Sequence, residues 1–263
     1  MKKLIVNNAE IAYRDEGAGE PIVFLHAFPL NQTMWDEQVA ALAPTYRVIT
    51  FDWRGFGQSG LGTTDSIMPA FADDLAELLN QLQIERATIC GLSMGGYAAF
   101  AFYRTYASRV KALILCDTRA AADTDEGKRG RYEMAEVARS KGAAAIAEKM
   151  IPRLLGDTTL QSNVDAAKRV RGMIETAHAE GIAQALFGMA RRGDSTDLLP
   201  TIDCPTLIIV GNEDKLTPQS EAEKMSRLIK TAKLEVIGEA GHLPNLEQPI
   251  TFNLAVREFL NQL

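Results

Sequence analysis

Histidine is scarce in this chain, with three residues in 263. Scarcity makes each one informative, because His is the side chain whose ordinary pKa lets it move a proton near neutrality. Cysteine is equally rare. Cys90, Cys116 and Cys204 lie in or beside apolar runs, with no CxxC pair and no His at metal-ligand spacing. That excludes a disulfide framework and a metal site of the usual spacing, and it leaves buried free thiols. An excess of positive charge is missing too: a net charge of −6 and a pI near 5.3 argue against a nucleic-acid surface. No run approaches the roughly 18 apolar residues that a membrane span needs. Met1-Lys2-Lys3 is followed only by Leu4, Ile5 and Val6 before Asn7-Asn8, too short an apolar core for export. A cytoplasmic protein is therefore expected, and the sequon Asn31-Gln32-Thr33 carries no meaning without export.

Apolar residues are plentiful, at 46%. A chain of this length and composition suits one α/β domain with an insertion better than two equal domains. Two β-prone segments flank Asn7-Asn8, a hairpin signal. Ile22-Val23-Phe24-Leu25 is continuously apolar, as a strand buried on both faces of a parallel sheet would be. It ends in His26-Ala27-Phe28-Pro29. A helix is predicted over 35–43, a strand over 47–52 and a helix over 66–82, the last with Ile67, Phe71, Leu75, Leu78, Leu79 and Leu82 on one face. Between these, Gly55 to Gly60 satisfies GxGxxG. The dinucleotide reading fails, because Trp53 and Arg54 separate the strand from the glycines, Leu61-Gly62-Thr63-Thr64-Asp65 delays the helix, and the acid expected ~20 residues on would fall inside that helix.

The chain's organising stretch is Thr88-Ile89-Cys90-Gly91-Leu92-Ser93-Met94-Gly95-Gly96. It reads as a strand turning sharply into a helix, with one hydroxyl at the bend. Ser93 is expected at positive φ, and Gly91 and Gly95 have a steric reason to be there, since the flanking chain passes too close for side chains. After a further strand at 112–116 the alternation stops. Residues 120–199 read as helices only, over 125–141, 143–155, 164–179 and 182–191, broken by Gly142, Gly156 and Gly181. Strand and helix then resume over 206–210, 218–229, 234–237 and 250–263. The expected organisation is an α/β core from 1–119 and 200–263, with a helical cap inserted over 120–199.

Two later loops complete the chemistry. Gly211-Asn212-Glu213-Asp214-Lys215-Leu216-Thr217-Pro218 and Glu239-Ala240-Gly241-His242-Leu243-Pro244 each follow a strand, at the sheet edge where open α/β sheets keep their sites. Ser93, Asp214 and His242 thus occur in the order nucleophile, acid, histidine. Serine is a weak nucleophile near neutrality and needs a base. His242 is expected to take its proton and pass it to the leaving group, while Asp214 fixes the tautomer and stabilises the imidazolium. The backbone N–H groups of Phe28 and Met94 are the candidate oxyanion hole. Asp117, after the preceding strand, and Glu213, beside Asp214, stay open as alternatives for the acid. His178, in the insertion, reads as structural.

Over nearly its whole length the chain resembles the α/β-hydrolase family, most closely its small carboxylesterase and 3-oxoadipate enol-lactonase branch. The resemblance rests on the His26 to Pro29 loop, Asp52-Trp53-Arg54-Gly55-Phe56-Gly57-Gln58-Ser59, the Ser93 elbow, the Gly211 to Pro218 acid loop and the run from Ala240 to Pro249, with Leu115-Cys116-Asp117-Thr118 leading into the cap. It implies a mostly parallel twisted sheet of about eight strands with helices on both faces. It also implies that Arg54 and Ser59 stabilise a loop rather than react. Ala27 departs from the family's usual glycine and disfavours positive φ there; Phe28 N–H is still expected to point inward. Serine at the elbow argues against the haloalkane dehalogenase branch, which uses aspartate.

The resulting expectation is a serine hydrolase that cleaves a small carboxylic ester or lactone through an acyl-enzyme, without metal or cofactor. Met134, Met150, Met173 and Met189 with Phe28 and Trp35 suggest an adaptable apolar pocket, though methionines at helical positions more often fill plain core, and Lys128, Arg129 and Arg131 could meet an anionic acyl group, though a solvated basic face is the commoner reading of such a run. Carbon-carbon bond hydrolysis or perhydrolysis on the same triad, a triad-bearing ligand receptor, and a binding scaffold with a silent serine remain as other readings. The sequence does not give the oligomeric state.

Overall fold

The computed structural model describes residues 1–63 and 66–263. Thr64 and Asp65, which the sequence reading puts in the turn delaying the second helix, lie outside the described residues. The chain runs β1 (Lys2–Val6), β2 (Ala9–Glu16), β3 (Pro21–Leu25), α1 (Asp36–Leu42), β4 (Arg47–Phe51), α2 (Met68–Gln81), β5 (Ala87–Leu92), α3 (Met94–Tyr106) and β6 (Val110–Cys116). Four helices follow: α4 (Asp125–Leu154), α5 (Asp157–Ser162), α6 (Val164–Glu175) and α7 (Ala179–Ala190). The alternation resumes with β7 (Thr206–Gly211), α8 (Gln219–Leu228), β8 (Ala232–Ile237), α9 (Pro244–Glu247) and α10 (Pro249–Leu260).

The strands form an eight-stranded sheet in the order β1-β2-β4-β3-β5-β6-β7-β8. The β1–β2 hairpin turns at Asn7 and Asn8, both at positive φ, and pairs antiparallel with β4, whereas the other pairs are parallel. Strands β5, β6 and β7 are almost wholly buried along their length. Their mainly apolar sequences, interrupted only by Thr88, Lys111 and Thr206, follow from helices covering both faces, since a strand with no wet side has no use for alternation. At the edge, β8 is half exposed and its sequence alternates. Helix α2 packs on α3, and α1 packs on α10.

Helix α4 is broken at Gly142, where φ 74° and ψ −177° are non-helical, so 125–141 and 143–154 are two pieces as the sequence reading divides them. The segment from α4 to α7 is tied to the core by close backbone approaches. A Cβ at Gly55 would meet Gly181 Cα at 2.6 Å, and His178 N–H donates to Gly55 O at 3.0 Å. Gly55 and Gly57, at φ 80° and φ 52°, therefore shape a docking loop. No helix opens from these glycines: 16 residues lie between the end of β4 and the start of α2, which removes the dinucleotide reading on structural grounds as well.

The elbow has a sharper requirement. Ser93 sits at φ 55°, and side chains at Gly91 and Gly95 would run into the backbone of Gly95 and the carbonyl of Leu25. Gly95→Ala is expected to destabilise the protein by about 1–3 kcal/mol through overpacking against backbone that has no room to move. An unchanged urea midpoint for that variant would show that the bend is looser than described.

Candidate active site

The site is assembled from loops at one edge of the sheet. Ser93 is the N-cap position of α3, so its neighbour Met94 opens a helix whose first N–H groups have no intrahelical acceptor. The elbow is pinned from below: Ser93 N–H donates to Cys116 O at 2.9 Å, and Thr118 Oγ1 donates to Ser93 O at 2.9 Å. Among the described residues no acceptor engages either Met94 N–H or Phe28 N–H. Ala27 keeps an ordinary negative φ, in line with the exclusion read from its methyl group, and its carbonyl closes a turn by accepting from Leu30 N–H at 2.9 Å.

Asp214 and His242 come together although 28 residues separate them, with Nδ1 2.8 Å from Oδ2. Asp214 is further held by Thr217 Oγ1 at 2.6 Å and by the N–H groups of Leu216 and Thr217 at 2.8 and 3.1 Å. Burial raises the pKa of Asp214, but the charge and hydrogen bond of His242, with those of Thr217 and Leu216, outweigh it and hold the carboxyl below its ordinary value. An ionised Asp214 accepts the Nδ1 proton, which leaves the lone pair of a neutral ring on Nε2. Ser93, His242 and Phe28 line one cavity of about 610 Å³. Among the described residues, Ser93 Oγ has no side-chain hydrogen bond, so the serine and the histidine share a cavity without being directly bonded.

The alternatives for the acid have different surroundings. Glu213 turns away, accepting from Thr158 N–H and Oγ1 at 2.9 and 2.5 Å. Asp117 lies deeper, 1% exposed, with Oδ1 accepting from Gly211 N–H at 2.9 Å and Oδ2 buried without a hydrogen-bond partner among the described residues. Burial and then the negative charge of Asp214 push its pKa well above the carboxylate range. Asp117, Asp214 and His242 each offer a ligand atom within 4.8 Å of the others. The 2.8 Å between Nδ1 and Oδ2 is the length of a shared proton, however, and leaves no space for a cation between those two atoms.

His26 has a different job. Its Nε2 accepts from Trp53 N–H at 3.0 Å and its Nδ1 donates to Ala27 O at 3.0 Å, so the neutral ring ties the Phe28 loop to the end of β4. Complete burial drives its pKa from 6.5 down to about 4, against the pull of Asp52. Between those values the unfolded chain binds the proton and the folded one refuses it, so stability falls as the pH falls from 6.5 to 4, and this group adds nothing below that. In His26→Gln the slope of the urea midpoint over that window is expected to shrink; equal slopes in the two proteins would contradict the assignment.

A family model for the alpha/beta hydrolase fold matches residues 20–249. The chain belongs to the α/β-hydrolase family. It is similar to 3-oxoadipate enol-lactonase 1 of Acinetobacter baylyi, at 33% identity over 88% of this chain and 85% of the relative. A thermophilic esterase from Thermogutta terrifontis, solved with malate bound, superposes with a TM-score of 0.97 at 44% identity, covering 100% of this chain and 99% of the esterase. The enol-lactonase of Burkholderia xenovorans gives a TM-score of 0.92 at 28% identity, over 99% of this chain and 100% of that one. This chain is a hydrolase of the esterase and enol-lactonase-like branch.

In this α/β-hydrolase the loop motifs read as stabilising behave so. Ser59 Oγ donates to Asp52 O at 2.7 Å and accepts from Ala12 N–H at 2.9 Å, and Arg54 makes a buried two-pronged pair with Asp74 at 2.8 and 2.5 Å. Of the methionines offered for the pocket, Met134, Met150 and Met189 line the cavity with Phe28. Met173 and Trp35 are outside its lining: the Trp35 ring packs 4.9 Å from that of Phe24 in the core. Lys128 and Arg129 are also outside it; Arg131 lines it but is paired with Asp123. The sequence reading gave no role to Glu247, whose carboxylate accepts from Gly241, Leu243 and Gly156 N–H groups at 2.9, 3.1 and 2.8 Å and so braces the His242 loop. Thr217 was not singled out by the sequence either: it lies in the loop ahead of α8, where Asp214 Oδ1 accepts from the Leu216 and Thr217 N–H groups in an Asx-type turn. Among the described residues, no helix is long and apolar enough to cross a membrane.

Proposed function

We propose that this hydrolase cleaves small carboxylic esters or lactones by a Ser-His-Asp mechanism with an acyl-enzyme intermediate. The observation that carries the reading is the Asp214–His242 pair at 2.8 Å, opening on the same cavity as a strained serine at a helix N-terminus. Ser93 Oγ attacks the carbonyl carbon while His242 Nε2 takes its proton. The charge that develops on the carbonyl oxygen meets the unengaged N–H groups of Phe28 and Met94, donors of a kind worth roughly 3–4 kcal/mol each when removed. His242 then gives its proton to the departing alkoxide, and water repeats the sequence on the ester of Ser93.

The segment 120–199 acts in this reading as a cap, because its residues Asp123, Arg131, Met134, Met150 and Met189 close the cavity over Ser93. Two names among the similar proteins, enol-lactonase and esterase, support the substrate class. The test is a panel of p-nitrophenyl acetate and butyrate, short γ- and δ-lactones with and without a free carboxylate, and peracid formation from acetate and peroxide. Ester or lactone turnover well above the peracid rate supports the reading; peracid formation as the dominant reaction overturns it.

A further inference from the structure

A second chamber of about 540 Å³ adjoins the catalytic cavity. Among the described residues, Tyr97 and Arg119 line both spaces and form the partition between them. The partition is built firmly. Arg192 lies over the Tyr97 ring at 4.1 Å, a cation–π contact, and its two terminal nitrogens are held by Asp123 Oδ1 at 2.9 Å and Ala121 O at 2.6 Å. Arg119 reaches the same Asp123 oxygen at 2.6 Å, and Arg131 Nε bonds the other. Burial raises the pKa of Asp123, yet Arg131 and Arg192 pull it down to about 2, so the anchor stays charged over the working range.

The direction of the chamber follows from helix geometry. Ser93, Tyr97, Ala101 and Thr105 are spaced four apart on α3, so they lie along one face. The first of these lines the catalytic cavity, the second lines both spaces, and the last two line the chamber. Eight residues, a little over two helical turns or about 12 Å, separate Ser93 from Ala101. That is beyond the reach of a butyl chain and about the length of an octyl chain. Ile67, Met68, Pro69 and Phe100 give the chamber an apolar wall suited to hydrocarbon, while the exposed charged residues Arg104, Asp194 and Asp197 line its mouth toward solvent.

Building on the serine-hydrolase reading, we infer that the Tyr97 ring, clamped by Arg192, sets the substrate-length limit of this enzyme by sealing off a chamber whose apolar wall would otherwise accept a medium-length chain. Tyr97 is thus a specificity-determining residue that takes no part in the bond chemistry. The hydroxyl is not needed for this role, because the barrier is the ring.

The experiment is a chain-length profile with p-nitrophenyl acetate through decanoate, and with acetate esters of ethanol through octanol, so that either arm of the ester is probed. For the native protein kcat/KM is expected to fall at least about tenfold between four and eight carbons on one arm. In Tyr97→Ala the ratio of the eight-carbon to the two-carbon substrate on that arm rises at least about tenfold. Tyr97→Phe keeps the native ratio. Filling the chamber from its far side, Ala101→Phe in the Tyr97→Ala background restores the native ratio, while Ala101→Phe alone leaves the profile as it was. If Tyr97→Ala does not fold, Tyr97→Val serves the same comparison. An unchanged ratio in both arms, or a native enzyme that takes octanoate as readily as acetate, overturns the partition. Turnover that survives in Ser93→Ala would instead overturn the underlying serine-hydrolase reading, so the two failures are distinguishable.

Discussion

Ser93→Ala and His242→Ala are each expected to lower kcat/KM toward p-nitrophenyl butyrate by about 10⁴- to 10⁶-fold, and the double variant is expected to be no slower than the worse of the two. The size follows from what is lost. In the proposed mechanism no acyl-enzyme forms without the hydroxyl, and without the imidazole the hydroxyl keeps its proton and remains a poor nucleophile near neutrality. Each loss removes the same covalent route, so the second adds nothing. What persists under that proposal is the contribution of the Phe28 and Met94 N–H groups and of binding, which does not depend on either side chain. Ser93 is expected to tolerate the change structurally, since its backbone is held by Cys116 and Thr118 rather than through Oγ. Two losses that multiply, one hundredfold times another, would mean that the serine and the histidine act independently, and the shared-cavity account would fail. Thermal midpoints of the variants separate this from unfolding.

The second large effect distinguishes two buried aspartates a few ångströms apart. Asp214→Asn is expected to reduce kcat by about 10³- to 10⁴-fold with KM little changed, because an amide at that position cannot stabilise the imidazolium and can select the wrong tautomer of His242. Asp117→Asn is expected to change kcat by less than about fivefold. The reason is that burial and the charge of Asp214 both favour the neutral form of Asp117, which an amide of nearly the same shape mimics. Its Oδ1 contact with Gly211 N–H survives in the amide oxygen. The converse result, a large loss in Asp117→Asn and a small one in Asp214→Asn, would transfer the acid to the end of β6. Fluorescence and urea midpoints read alongside kcat show whether either change acts through folding.

The parts of this molecule that were legible in the sequence are those whose chemistry is local. Strands β3, β5, β6 and β7 stood out because burial on both faces demands mainly apolar residues. The Ser93 elbow stood out because a positive φ and two close backbone passages exclude side chains within five consecutive positions. The break in α4 was marked by Gly142 alone. Short elements left no such trace: α5 has six residues and α9 has four, too few for a helical period to show. Trp35 was read as the start of a helix and a pocket residue, whereas it closes a short 3₁₀ turn, Gln32–Trp35, and fills the core beside Phe24 and Phe252. A tryptophan serves a pocket and a core equally well, so the sequence does not separate them. Least legible was the cluster of Arg119, Arg131 and Arg192 around Asp123: the first two are near Asp123 in sequence, but Arg192, 69 positions away, joins them only once α7 packs on α4. Arg131 read alone suggested a charge for substrate; in the fold its guanidinium is taken by Asp123.

The account rests on a covalent bond between substrate and one hydroxyl. Rapid mixing with p-nitrophenyl acetate, acid quenching within the first turnover and peptide mass spectrometry measure that bond directly. One acetyl group per chain, on the peptide containing Ser93 and absent from the Ser93→Ala protein, is the expected result. Turnover with no acetylated peptide at any quench time, or acetylation at another residue that accounts for the full rate, would contradict it.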